Sequence, residues 1–95
     1  MTLNTSHLLT LLSDILDEHQ TDLNGEVAEY QQIKRLVKTM IAQNHITDEQ
    51  LQQMLPEIYN YGIKGETVQN MQEHIDSNKN NIEQWLQTID RINLE

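Results

Sequence analysis

The chain of 95 residues has no cysteine and no phenylalanine, one proline, three glycines and six basic residues against fifteen acidic ones. Without cysteine there are no disulfides, no thiol nucleophile and no thiolate zinc site. No run of about 18 apolar residues exists, so no segment reads as membrane-spanning. Met1 to Leu12 carries no Lys or Arg ahead of its apolar stretch, which excludes the pattern of a secretory signal. A cytoplasmic location is expected. The shortage of cations gives a net charge of −9, and such a chain repels a phosphate backbone, so nucleic acid is not the expected partner.

The charge is unevenly spread. Residues 1–33 hold six acids and no Lys or Arg, after which Lys34, Arg35 and Lys38 come together. This cluster is the positive patch of the sequence. It reads either as an internal partner for the acidic faces of the first or fourth helix, or as a docking point for an acidic partner or a phosphate. Length and composition imply one helical domain over residues 1–93, with Leu94-Glu95 resembling the remnant of a C-terminal expression tag.

What is present is helical periodicity, and period-2 alternation is scarce. The first segment, about Thr5 to Gln20, sets Leu8, Leu11, Leu12, Ile15, Leu16 and His19 on one face. The second, about Asn24 to Asn44, opens with Asn24 as N-cap and has Val27, Tyr30, Ile33, Val37, Met40 and Ile41 as its apolar face. Thr47 and Gln50 read as a capping box for the third, which carries Leu51, Met54, Leu55, Ile58 and Tyr59. Pro56 lies inside it and predicts a kink or a break into two short turns, with an end near Tyr61-Gly62.

The fourth segment, about Glu66 to Asn93, carries a heptad-like series: Val68, Met71, Ile75, Asn78, Ile82, Trp85, Ile89 and Ile92. As one helix it would run roughly 40 Å. Either it bends near Asn78–Asn81, where Asn80 and Glu83 offer a new cap, or one end projects. The expected fold is therefore all-α: a four-helix, mostly antiparallel bundle with a kinked third helix and a long fourth helix that bends or projects. Its expected core is Leu8, Leu12, Ile15, Leu16, Tyr30, Val37, Met40, Ile41, Leu51, Leu55, Ile58, Ile75, Ile82, Trp85 and Ile89.

The stretch His19 to Leu36, HQTDLNGEVAEYQQIKRL, and Ile58 to Gly62, IYNYG, resemble the YtzH-like family of small bacterial proteins. The resemblance extends to His74-Ile75 and Gln84-Trp85 and covers nearly the whole chain. It implies a Bacillus-type cytoplasmic origin, and it implies no activity and no catalytic or binding residue.

Candidate chemistry is thin. Helical metal sites place ligands at i, i+3 or i, i+4, yet Leu16, Ala42 and Met71 stand three before His19, His45 and His74. Asp76 to Asn81 begins like a calcium loop, but Asn81 replaces the glycine and Gln87 the bidentate glutamate. No cofactor, metal or catalytic constellation is therefore expected. His19 on the apolar face reads as a packed histidine near a helix end, donating to a carbonyl. Tyr59 and Tyr61, two apart, cannot both face inward, and Tyr61 beside Gly62 is expected to be partly exposed. The expected function is a non-catalytic protein-interaction or regulatory module, acting through Lys34, Arg35, Lys38 and Tyr61 on a protein partner. A homodimer along the fourth segment's seam is the other form of that expectation. The alternative is a small-ligand or metal-binding protein built around His19.

Overall fold

A computed structural model describes residues 5–22, 26–43 and 46–94. Among the described residues there are five helices and no strand: α1 Thr5–Asp22, α2 Val27–Gln43, α3 Glu49–Thr67, α4 Met71–Ser77 and α5 Lys79–Leu94. The all-α expectation holds, with five helices in place of the expected four. α2 and α3 form the most extensive pairing, while α1 packs on α5 and α2, and α4 touches α1 and α5.

α2 begins at Val27, and the expected cap Asn24 and neighbouring Gly25 lie outside the described residues. Glu29 reaches back to accept a hydrogen bond of 2.8 Å from the Glu26 backbone N–H, which satisfies an otherwise orphan donor. The N-cap of α3 is Asp48, not Thr47: its carboxylate accepts from Leu51 N–H at 3.0 Å. Its other oxygen accepts from Arg91 of α5 at 3.0 Å. Those donors, the Leu51 amide foremost, hold the Asp48 carboxyl below its ordinary range.

α3 neither breaks at Pro56 nor ends at Gly62. Leu51, Met54 and Leu55 before the proline and Ile58 after it are buried, so both flanks are held to the core while Pro56 itself is exposed. The lost hydrogen bond is offset by packing on either side. The glycines are not terminators but contact points. A β-carbon on Gly65 would fall within 2.1 Å of the Tyr30 ring, and one on Gly62 within 2.9 Å of Lys34 Cγ and 3.2 Å of the Tyr30 carbonyl oxygen. Glycine here lets α2 close onto α3.

The fourth segment is divided at one residue. Asn78 has φ −103° and ψ 9°, and its backbone N–H bonds Ile75 O rather than continuing the i→i−4 ladder. Its side-chain amide donates to His74 O at 2.9 Å, replacing the bond its backbone gave up. α5 then begins at Lys79, earlier than the expected Asn80 cap, with Ile82 N–H bonding Asn78 O at 2.8 Å. The longest dimension of the molecule is 35 Å, shorter than the roughly 40 Å of an unbroken helix over this segment. Ile75, Ile82, Trp85 and Ile89 of the seam are buried within the chain.

Thirteen of the fifteen expected core residues are buried, and the two exceptions are informative. Ile15 is half-buried against the core, and Ile41 is 52% exposed. Leu9, Ile33, Leu36, Met54 and Tyr61 complete the core.

The two backbone punctuators of α3 have opposite consequences. Gly65→Ala drives a methyl into the Tyr30 ring and costs about 1–3 kcal/mol. Pro56→Ala restores a helical bond at an exposed position and stabilises by up to about 3 kcal/mol. Urea denaturation of both variants checks the pair of signs.

Candidate functional site

Four helices bring their aromatic and imidazole side chains to one place. His19 comes from the last turn of α1, Tyr30 from the first turn of α2, Tyr61 from α3 and His74 from α4. Tyr61 is central: its ring stacks on His74 at 4.7 Å between centroids and 13° between planes, and meets Trp85 of α5 edge-on at 5.6 Å. Tyr30 lies between His19 and His74, with centroids 4.9 and 5.7 Å away. His19 and Tyr30 are wholly inaccessible, Tyr61 is 2% exposed and His74 8%.

This overturns the expectation for Tyr61. Because α3 continues past Gly62, residues 54, 58, 61 and 65 share its inward face, and Tyr61 is core while Tyr59 is half-buried.

The polar atoms of the cluster form a directional chain. Tyr61 Oη lies 3.0 Å from His19 Nδ1, and Tyr30 Oη lies 3.5 Å from Tyr61 Oη. The Glu29 carboxylate stands 3.6 Å from His19 Nε2, too long for a hydrogen bond but close enough to favour a proton on that nitrogen. His19 Nδ1 then accepts from the Tyr61 hydroxyl. The expected carbonyl partner of His19 is thus a phenol. His74 Nε2, 3.2 Å from the Tyr61 carbonyl oxygen, must carry the hydrogen, because the carbonyl only accepts.

Burial dominates the electrostatics. It lowers the pKa of His19, against the opposing pull of Glu29, and lowers that of His74 against the Tyr61 carbonyl. It raises both buried phenols above their ordinary value. Both imidazoles are therefore neutral near pH 7. His19 and Tyr30 have no solvent access, whereas His74 borders an open depression of about 550 Å³ that Lys64, Asn70, Glu73 and Asn78 also line. Among the described residues no group of three or more His, Asp or Glu side chains could hold a metal ion. His45 lies outside the described residues.

The basic cluster lies elsewhere, on the outer side of the α2·α3 pair. Lys34 Nζ pairs with Glu66 of α3 at 2.6 Å, so its partner is the third helix, not the first or fourth. Arg35 and Lys38 are exposed and make no ion pair among the described residues. With Gln31, Lys34 and Tyr59 they line an open depression of about 260 Å³. The large apolar side chains that the described structure exposes belong to the same two helices: Val27 at 45% and Ile41 at 52% on α2, and Ile63 at 42% on α3. Residues 27, 31, 34, 38 and 41 recur at four and three along α2, so they form one stripe. Tyr59, Ile63 and Glu66 do the same on α3. Spacing puts Val27 and Ile41 on the apolar face of the second segment, and Ile41 in the expected core, because helical period alone does not tell a buried stripe from its neighbour.

The opposite sign gathers between α1 and α5, where Asp14, Asp17, Glu83 and Asp90 line a depression of about 420 Å³. No helix among the described residues is long and apolar enough to cross a membrane.

The model of the YtzH-like protein family matches residues 3–89. The chain is 34% identical over 90 residues to the uncharacterised protein YtzH of Bacillus subtilis (strain 168), covering 95% of this chain and 97% of that one. No solved structure matches.

Linkage gives the buried imidazoles a visible effect. A histidine whose folded pKa is lowered adds stability that is complete above its unfolded value of about 6.5 and is lost as pH falls through the folded value. The urea midpoint is expected to drop between pH 7 and pH 5, with the drop diminished in His19→Gln. Tyr61→Phe leaves His19 Nδ1 buried without its donor and costs about 1–3 kcal/mol at pH 7. A pH-independent midpoint over that window would contradict the assignment.

Proposed function

The chain belongs to the YtzH-like family, and we propose that it works as a non-catalytic protein-interaction or regulatory module in the cytoplasm. The carrying observation is the division between inside and outside. The side chains with acid–base chemistry, His19, Tyr30, Tyr61 and His74, are buried among one another. A catalytic group must reach its substrate, and His19 and Tyr30 have no solvent access while Tyr61 and His74 keep only a small edge of it. The surface instead offers a mixed apolar and cationic face on α2 and α3, of the composition that protein interfaces use.

In this reading the fold acts as a four-helix, mostly antiparallel bundle whose fourth arm is α4 and α5 in series, supported by their separation at Asn78 alone. Lys34, Arg35 and Lys38 belong to the contact surface. Tyr61 does not. Neither nucleic acid nor membrane is a partner in this proposal, which the net charge of −9 favours for nucleic acid.

Tagged protein captured from cells that carry it is expected to retain a specific partner, and Ile41→Asp/Ile63→Asp is expected to lose at least about 90% of it. Both substitutions fall on exposed positions, so circular dichroism should show an unchanged fold. Equal capture by both forms removes this surface from the proposal. A turnover activity surviving purification would remove the non-catalytic reading itself.

A further inference from the structure

The outer face of α2 and α3 constrains what it can hold. Val27 and Ile41 stand 14 positions apart on one stripe, which at 1.5 Å per residue is roughly 21 Å, or about four helical turns. The cations Arg35 and Lys38 lie between these two apolar ends, Tyr59 of α3 lines the same depression, and the exposed Ile63 follows Tyr59 one helical turn on. Lys34 is already matched by Glu66, so an arriving partner must supply carboxylates chiefly for Arg35 and Lys38. Two helices packed side by side leave a groove that a third helix fits.

Charge selects among occupants. A basic segment would be drawn to the Asp14, Asp17, Glu83 and Asp90 face instead. A nucleic acid would meet two or three cations in a field set by a net charge of −9. We propose that the α2·α3 face binds an acidic amphipathic helix of a partner protein, with apolar residues about four turns apart and carboxylates between them. This rests on the interaction-module reading and adds the chemistry of the partner.

The test uses the full chain and two synthetic helical peptides of about 16 residues, with leucines at both ends. One has glutamates in the middle, and its twin has lysines at those positions. NMR titration should show the glutamate peptide shifting Val27, Arg35, Lys38, Ile41 and Ile63, with the lysine twin at least about tenfold weaker. Arg35→Glu/Lys38→Glu should invert that preference while leaving the melting temperature within a few degrees. Its folded control is the unchanged dispersion of the Trp85 indole signal.

The proposal is overturned if the glutamate peptide does not bind, if both peptides bind alike, or if the shifts fall on α1 and α5. It is likewise overturned if a single-stranded oligonucleotide binds as tightly as the peptide. A dimer of this chain that dissociates on Arg35→Glu/Lys38→Glu would assign the face to a second copy and overturn the acidic-helix assignment. Loss of peptide binding with retained, Ile41- and Ile63-dependent capture of a cellular partner would reject the acidic helix and leave the interaction module standing.

Discussion

The Tyr30 ring occupies the space that a β-carbon at position 65 would need. With α2 seated that closely on α3, the Tyr30 hydroxyl comes within reach of Tyr61, and Tyr61 presents its own hydroxyl to His19. The same arrangement lays His74 against the Tyr61 ring. α1, α2, α3 and α4 thus meet around two phenols and two imidazoles rather than around aliphatic packing alone. Polar groups in such a position must find one another, because a buried donor or acceptor left alone costs about 1–3 kcal/mol. The meeting point therefore specifies which helices are neighbours as well as holding them together.

Helical periodicity made the fold class and most of the core readable from the sequence. The apolar face of α1 and the seam of Ile75, Ile82, Trp85 and Ile89 are where their spacing puts them. What misled was punctuation. Gly62 and Gly65 look like the end of a helix, yet their purpose is the approach of α2, which depends on a residue more than thirty positions away. A helix ending at Gly62 would leave Tyr61 at the surface, whereas a helix running on to Thr67 makes it the centre of the buried cluster. A local rule cannot see a contact between distant residues.

The cluster itself was half legible. His19 on the apolar face of α1 signals a buried imidazole, but nothing near it in the chain names Tyr61 as its partner, 42 positions on. Glu29 could be read as the N3 member of a cap, not as a charge beside His19. One carboxylate does both, which ties the end of α1 to the start of α2 across residues 23–25. Outside, the cations of α2 were evident from composition, whereas the exposed Val27, Ile41 and Ile63 of α2 and α3 emerged only once helix pairing was known.

Asn78 has a consequence of another kind. It interrupts the hydrogen-bond ladder between α4 and α5 without interrupting the phase of the apolar residues, since Ile75 and Ile82 remain seven apart and both are buried. The joint behaves as a coupling between two shafts that preserves their angular setting. Each residue of a helix turns the chain by about 100°. Adding or removing one residue at this joint would rotate α5 by that angle and swing Trp85 and Ile89 out of the core. The joint thus tolerates a change of side chain far better than a change of length, and natural variation in the length of this protein should fall elsewhere.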